Sequence, residues 1–347
     1  MDYLFIDNGD DSVRIPKEFW LTHNLMVRNY DLIVSLLLDE NIRNQMSVKV
    51  DFNDAPPEDI QDVDILDYLI ENGYESSANI FIRNHLTSAL VSDLCGFMHQ
   101  SIMSIKRGYL TVGMQLLRKP LLENLLVLEK LNFDTKSFIE DFKEDPKFYD
   151  PGKISDPEKE KIIRYNLSES YTNLTFDIAY NFRFDKNRFN SIYTISNQAT
   201  HLVTNRHLHK TEKMNMNFIF SENQARAAQL EYYYNLVGPF YGYMVDVIYQ
   251  LFLKYDLITP NQKIKANGIC LLRQLIQSES KINFSKIISP LGIKCIQCQN
   301  ALSFSNDDIL NLVEYCEVTC RKCNSRHSWD SDFLDPIYKL LLRGLKK

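Results

Sequence analysis

The chain has 347 residues, of which 45% are hydrophobic and 24% are charged, and its formal net charge is −6. These values are ordinary for a soluble globular protein, and the length allows two domains or one large domain with an appendage. Only 11 glycines and 11 prolines occur, against 20 phenylalanines and 19 tyrosines. This composition favours long helices and argues against a turn-rich all-β fold.

The charge is unevenly distributed along the chain. Residues 254–347 contain 14 Lys and Arg against 9 Asp and Glu, a net charge of +5, whereas residues 1–253 carry a net charge of −11. A basic carboxy-terminal part suggests that any polyanion binds there. Mutual attraction between the two parts explains the pattern equally well.

The sequence shows no signal for export or for membrane insertion. Residues 1–7 are acidic and lack the basic and long apolar regions of a signal peptide. The most apolar run, residues 236–253, is interrupted by Gly238-Pro239 and contains Asp246, which favours a buried helix over a membrane span. We therefore expect a cytoplasmic protein with no membrane partner.

In chain order, the pattern predicts four regions. They are an N-terminal helical and loop region (1–76), a helical bundle (77–258), a linker with a short helix (259–289), and a zinc ribbon with a C-terminal helix (290–347). The expected fold is mainly α, an up-and-down helical bundle with a small C-terminal β zinc ribbon.

The bundle is organised around a predicted helical hairpin, residues 79–132. Its second helix carries apolar residues at intervals of three and four, the spacing of one buried helix face: Leu110, Met114, Leu117, Leu121, Leu125 and Leu128. Arg107-Gly108 is the expected turn between the two helices.

Further helices are marked by their starts and breaks. Residues 155–158 (SDPE) and 221–224 (SENQ) have the pattern of a capping box, so each opens a helix. The second of these helices extends towards Tyr255, and Gly238-Pro239 should kink it.

Two C-x-x-C pairs form the strongest motif of the sequence. Cys295 and Cys298 make the first pair and Cys320 and Cys323 the second, with 21 residues between the pairs. Each pair places two thiolates on one tight turn, so two such turns can complete a tetrahedral Zn²⁺ site. Four thiolates leave no open coordination position, which predicts a structural zinc. We also expect the ribbon and the bundle to have separate cores.

Residues near the second pair complete the predicted ribbon. Residues 315–319 and 327–329 have the alternation of strands, and Cys316 and His327 are spare potential ligands. Arg321, Lys322, Arg326 and Trp329 supply the charge and stacking surface that nucleic-acid contact needs. A ring of solvated charge on a small module is the simpler alternative.

The second helix of the hairpin, Gly108–Leu128 (GYLTVGMQLLRKPLLENLLVL), resembles the long helix of bacterial HEPN-like helical-bundle proteins. These proteins also carry a Ser and a His near the start of a later helix, matched here by residues 196–201 (SNQATH). The resemblance covers about residues 79–255 and implies a role in antiviral defence, by abortive infection or a toxin, or RNA cleavage. The RNase members use Arg, four to six residues, then His; the only such pair here is Arg321–His327, inside the metal module.

The hairpin sequence leaves Arg118, Lys119, Glu123 and His201 as a candidate polar cluster. We expect Glu123 to point into the bundle near His201, with Arg118 or Lys119 neutralising it; Lys119 is four residues from Glu123 and can pair with it directly. In a ribonuclease, His201 would be the acid/base, and Arg118 or Lys119 would stabilise the developing charge. The alternative is a buried ion pair that fixes helix register.

Three functions follow from these patterns. The first is a defence-type protein whose bundle mediates dimerisation or partner binding and whose zinc ribbon contacts nucleic acid, such as RNA, or protein. The second is a metal-independent RNase with His201, Arg118 and Glu123 as its catalytic residues, and the third is a non-enzymatic scaffold. We also predict a homodimer, because six tyrosines between residues 232 and 249 cannot all point inwards on one helix.

Overall fold

The computed structural model of the protein describes residues 13–52, 65–145, 150, 152–172, 174–205, 207, 210–218, 223–277 and 282–345. Within these ranges the protein is mainly helical, with a small two-stranded antiparallel sheet near the carboxy terminus. The predicted fold class is therefore confirmed. The first helices are α1 (Trp20–Leu38), α2 (Glu40–Met46) and α3 (Ile65–Glu71).

The predicted hairpin is present. Helix α4 (Glu75–Lys106) turns at Gly108, which has a φ of 81°, into α5 (Leu110–Leu116) and α6 (Leu125–Phe133). Positive φ carries no steric cost at glycine, so the turn is short and closed. All six apolar residues predicted for the inner face of the second helix are buried.

A π-helical turn, Lys119–Asn124, joins α5 to α6. Pro120 lies in this turn and has no N–H to donate, so a regular α-helix would lose a hydrogen bond here. The wider turn changes the bonding pattern, and the Leu121 carbonyl accepts a hydrogen bond from the Nε of Arg183, at 2.7 Å. A distant side chain thus compensates for the break in the helix.

The next helices are α7 (Thr135–Glu144), α8 (Asp156–Glu169), α9 (Phe182–Phe184) and α10 (Ile192–Thr200), with a second π-helical turn, Asp177–Asn181, before α9. Ser155 caps α8 as predicted, its hydroxyl accepting from the N–H of Glu158 at 3.4 Å. Helix α11 (Asn223–Tyr232) follows. The first two residues of its predicted capping box, Ser221 and Glu222, lie outside the described residues.

Helix α12 (Gly238–Lys254) is the central helix and packs against α1, α6 and α13. A third π-helical turn, Tyr233–Val237, precedes it at the predicted Gly238-Pro239 break. Residues Asn223–Lys254 are long and apolar enough to cross a membrane, but most of the apolar window is buried inside the protein, as in the core helix of a globular fold.

The tyrosines of this segment do not form an outer surface. Tyr233, Tyr234, Tyr241, Tyr243 and Tyr249 are buried within one chain, and Tyr232 is half-buried. Successive π and α turns, together with packing of α12 on several neighbours, allow all of them to face protein. The argument for a homodimer from surplus aromatic surface is therefore wrong.

The carboxy-terminal part contains α13 (Pro260–Gln277), α14 (Phe284–Ile288), α15 (Asn306–Tyr315), strands β1 (Glu317–Thr319) and β2 (Arg326–Ser328), and α16 (Asp335–Leu345). The strands pair antiparallel with Val318 opposite His327, so both predicted strands are confirmed. Helix α15, in the spacer between the Cys pairs, was not predicted.

The C-terminal module that carries the four cysteines (the metal module, residues 290–347) shares its core with the helices that precede it (the helical body). One continuous cluster of buried apolar residues extends from Ile15 and the hairpin to Phe304, Leu312, Val318 and Tyr338. The buried guanidinium of Arg273 on α13 also bonds the Asn29 side chain of α1, at 2.7 Å, and the Val313 carbonyl of α15, at 3.1 Å. The expectation of a module with its own core is wrong, because α15 and α16 pack directly on the body.

Candidate metal centre

The four predicted cysteines meet at one point. The Sγ atoms of Cys295, Cys298, Cys320 and Cys323 all lie within 4.8 Å of one another, and the four residues are free thiols. The distances from Cys295 to Cys323 and from Cys298 to Cys320 are both 3.7 Å, much longer than a disulfide bond. The four thiols can therefore hold a metal ion.

The two turns that carry the thiols have the same backbone geometry. In the first turn the N–H of Cys295 donates to the Asn300 carbonyl and the N–H of Gln299 donates to the Cys295 carbonyl. In the second turn the N–H of Cys320 donates to the Ser325 carbonyl and the N–H of Asn324 donates to the Cys320 carbonyl. The residue after each pair, Gln299 or Asn324, adopts positive φ. Each of the two matching turns thus supplies two thiols to the group of four.

Hydrogen bonding favours the thiolate form at the first turn. The pKa of Cys295 is lowered to about 5, chiefly by a hydrogen bond from the Ser325 hydroxyl. The backbone N–H groups of Cys298 and Gln297 and the ring of His327 lower this pKa further. Bonds from the side chain and backbone of Asn300 lower the pKa of Cys298. Thiolates are the metal-binding form of cysteine, so these bonds prepare the site for a cation.

The two spare residues have different positions. His327 lies beside the site: its Nε2 is 3.3 Å from the Sγ of Cys295 and 3.1 Å from the Ser325 hydroxyl, and its ring contacts Phe333 edge to face. It contacts one of the four thiols and does not belong to the close-packed group of four. Cys316 ends α15 with a φ of 60° and accepts a hydrogen bond from Arg273, so it lies outside the group.

The exposed surface of the two turns is basic. We define the knuckle face as residues 294–300 and 320–326, which contain Lys294, Arg321, Lys322 and Arg326 and no carboxylate. All four basic residues are exposed. Arg321 and Arg326 pair with carboxylates from outside this face, those of Asp308 and Glu317, whereas Lys294 and Lys322 have no carboxylate partner among the described residues.

Trp329 contributes less to this surface than the sequence suggested. It is half-buried and packs against the core, and its carbonyl accepts a hydrogen bond from the Tyr338 hydroxyl, at 2.6 Å. The Arg321–His327 pair is also accounted for, because Arg321 binds Asp308 while His327 faces Cys295. This pair therefore lies within the module that carries the four cysteines.

The predicted polar cluster of the bundle is not formed as a buried group. His201 follows the last residue of α10 and is exposed, in a cavity of about 340 Å³ with Asn197. Arg118 and Glu123 line a different cavity of about 550 Å³. Lys119 pairs with Asp93, at 2.7 Å, and not with Glu123. The six-residue π-helical turn changes the angular spacing of side chains between Arg118 and Glu123. The directions predicted for these side chains from an ideal α-helix are therefore wrong.

The buried ion pair of the bundle involves other residues. Arg183 donates to both oxygens of Glu129, at 2.8 and 2.9 Å, and the Tyr243 hydroxyl donates to the same carboxylate at 2.7 Å. The side chains of Arg183 and Glu129 are fully buried. The sequence prediction did not include either residue. A usable signal for a buried charge was Glu129, which lies within the apolar run that follows Glu123.

Comparison of the sequence with models of protein families and with curated proteins, and comparison of the structure with solved structures, found no match. The HEPN-like resemblance thus depends only on the residues that suggested it.

Proposed function

We propose that this chain is a nucleic-acid-binding protein whose carboxy-terminal module is folded around a structural Zn²⁺ ion. The observation that carries the proposal is the close approach of four thiols on two matching turns. Four soft sulfur ligands in a tetrahedral arrangement favour Zn²⁺, and a complete ligand set leaves no position for a reacting water. The metal would therefore organise a surface and not perform a reaction.

The knuckle face is the proposed contact surface. Four exposed basic side chains and no carboxylate within the two turns give a local positive potential. Lys294 and Lys322 are free of carboxylate partners in the described chain and can bind phosphate groups, while Gln297 and Asn324 offer amide groups to bases. The two lysines of this face that have no carboxylate partner in the described chain support RNA as the partner more than they support a protein.

Metal content provides the first test. Protein purified without chelator should contain one Zn²⁺ per chain by elemental analysis. Cys323→Ser should lose the metal, because the variant removes one of the four ligands, whereas Cys316→Ser should keep it. Absence of metal from the unaltered protein, or equal loss from both variants, would refute the assignment.

RNA binding provides the second test. Fluorescence anisotropy with a single-stranded RNA should give an affinity that falls with salt. Lys294→Glu with Lys322→Glu should weaken binding and reduce the salt slope by about 2, since each lysine replaces about one counterion. The matched control, Lys49→Glu with Lys136→Glu, makes the same change of charge at two exposed lysines elsewhere. Equal weakening in both double variants would contradict a specific knuckle-face contact.

The helical body is proposed to mediate dimerisation or partner binding, and the HEPN-like pattern of residues 108–128 gives the proposal of a defence role. Neither proposal draws on the tyrosines of α12, which are internal. Light scattering at micromolar concentration tests the dimer directly, and a monomeric mass would exclude it.

A ribonuclease is the second candidate because Arg118 and His201 both approach Asn197. The guanidinium of Arg118 donates to the Asn197 side chain at 2.7 Å, and His201 shares a cavity with that residue. An exposed imidazole is accessible to a large substrate and can act as acid or base. His201→Ala should abolish cleavage of total RNA while leaving the circular dichroism spectrum unchanged; unchanged cleavage would remove this candidate.

A further inference from the structure

A cavity away from the two C-x-x-C turns is lined by two irregular helix turns. It encloses about 550 Å³, the size of a small-molecule site. One wall comes from the π-helical turn Lys119–Asn124 and another from the π-helical turn Asp177–Asn181, with the start of α10 between them. Isolated π turns are costly and often occur at functional sites, so their meeting at one cavity indicates a use for it.

The cavity contains an unpaired carboxylate. Glu123 is half-buried on the first π turn and has no hydrogen-bond or ion-pair partner among the described residues. The neighbouring carboxylates are engaged: Asp150 accepts from the N–H of Gly152, Asp185 from that of Asn187, and Asp156 pairs with Lys159 at 3.5 Å. Glu123 is thus the lining carboxylate that has no partner at all among the described residues.

A positive charge without a carboxylate partner faces the same space. Arg118 is held by the neutral side chain of Asn197 and lies over the ring of Tyr193, 5.6 Å from its centroid. Lys186 lies over the same ring, at 5.5 Å. Both cations line the cavity, and no described carboxylate lies within ion-pair distance of Arg118, so its charge is available to an anion.

The remaining walls of the cavity are partly aromatic. Phe184 and Tyr180 are half-buried and line it together with Tyr193. Burial, reinforced by nearby carboxylates, raises the pKa of Tyr180 to about 12, so its hydroxyl stays neutral at physiological pH. A planar ring can stack on such side chains.

We infer that this cavity binds a mononucleotide whose base carries an exocyclic amine. Arg118 and Lys186 contact its phosphate, Glu123 accepts from the amine, and the aromatic walls contact the base. Carboxylates are the usual side-chain acceptors for the amine of cytosine. This site is independent of the proposed RNA contact at the knuckle face and needs no metal.

The inference is tested by titrating full-length, metal-loaded protein with CMP, UMP and inorganic phosphate in a calorimeter. CMP should bind saturably, and UMP, which lacks the amine, should bind at least tenfold more weakly. Glu123→Gln should reduce the preference for CMP over UMP while keeping phosphate-dependent binding. Lys186→Gln and Arg118→Gln should weaken both nucleotides at least fivefold, and Lys186 is exposed, so its substitution leaves the fold intact.

The matched controls are Glu231→Gln and Lys136→Gln, which remove the same charges from exposed positions outside the cavity. They should bind CMP as the unaltered protein does. No saturable nucleotide binding, equal affinity for CMP and UMP, or equal effects of cavity and control variants would each overturn the inference. Loss of binding in Cys323→Ser but not in the cavity variants would place the nucleotide at the knuckle face instead, which also overturns it.

Discussion

Asp246 shows how a single buried charge is stabilised in the central helix. Its carboxylate accepts from the backbone N–H of Tyr171, at 2.5 Å, and from the Asn267 side chain, at 2.7 Å. Burial raises the pKa of Asp246 and outweighs the opposing effect of Lys263. Because the folded protein holds this proton more tightly than the unfolded chain, protonation stabilises the fold.

The pH dependence of stability follows from that shift. The contribution of the proton is fully present below the unfolded-state pKa, about 4, and is lost as pH rises through the raised folded-state pKa. Asp246→Asn removes this titration, so it should destabilise the protein more at pH 4.5 than at pH 7.5. Denaturant unfolding at both pH values, with the metal content checked in each sample, measures the difference. An equal effect at both pH values would contradict the prediction.

At the residue scale, the sequence identified the four cysteines that meet at one point but not the buried charges. The thiols are recognisable because two short spacings suffice to place four ligands. Arg183 and Glu129 are 54 residues apart, and nothing local in the sequence relates one to the other. The same limit applies to Lys119, whose partner Asp93 is on the facing helix. Spacing on one helix indicates possible pairs and leaves pairs between helices unspecified.

At the element scale, period and capping residues predicted most helices. The hairpin and α8 follow these signals, and the turn residue of the hairpin, Gly108, was recognisable. Helix α15 was missed although its signal is present: Ser305 and Asp308 form a capping box before the apolar residues Ile309, Leu312 and Val313. The helical pattern was not recognised because the two C-x-x-C pairs predict a β ribbon in this region. The π turns were not predicted, because they depend on tertiary contacts such as that of Arg183.

The packing of α13 on α16 gives a prediction at this scale. A Cβ on Gly268 would lie 2.5 Å from the Cβ of Tyr338, a buried residue with no room to move. Gly268→Ala should therefore destabilise the protein by about 1–3 kcal/mol through overpacking. A shift of the urea midpoint measures this effect.

Gly96 offers the matched control. It lies inside α4, and an added Cβ would meet no atom within 4 Å. Because alanine is the better helix former, Gly96→Ala should stabilise the protein by about 0.5–1 kcal/mol. Two substitutions of opposite sign separate close helix packing from helix propensity. Stabilisation by Gly268→Ala would show that α16 does not approach α13 as the structure has it.

For the whole molecule, the sequence predicted a helical body and a cysteine-containing C-terminal module, but it did not predict that the two share one hydrophobic core. A change of composition after residue 259 and the Cys motif suggested an appended module. The structure instead has one apolar cluster that includes Cys295 and Cys320 together with the residues of the hairpin and α12. Periodicity identifies which face of an element is buried, and it does not identify the element that covers this face.

Removal of the metal should therefore affect the stability of the whole protein. Structural Zn²⁺ sites in small peptides have apparent binding free energies of about 10–16 kcal/mol at pH 7, and binding to the folded state alone adds directly to stability. The metal turns are connected to the body through the shared core and through Arg273, which bonds both α1 and α15. Chelation, or Cys323→Ser, should lower the melting temperature of one cooperative transition recorded by the helical signal. Cys316→Ser keeps all four ligands and should retain the metal, so it controls for loss of a thiol. Calorimetry in which the chelated protein loses a small separate transition, with the main helical transition unmoved, would show instead that the module unfolds independently.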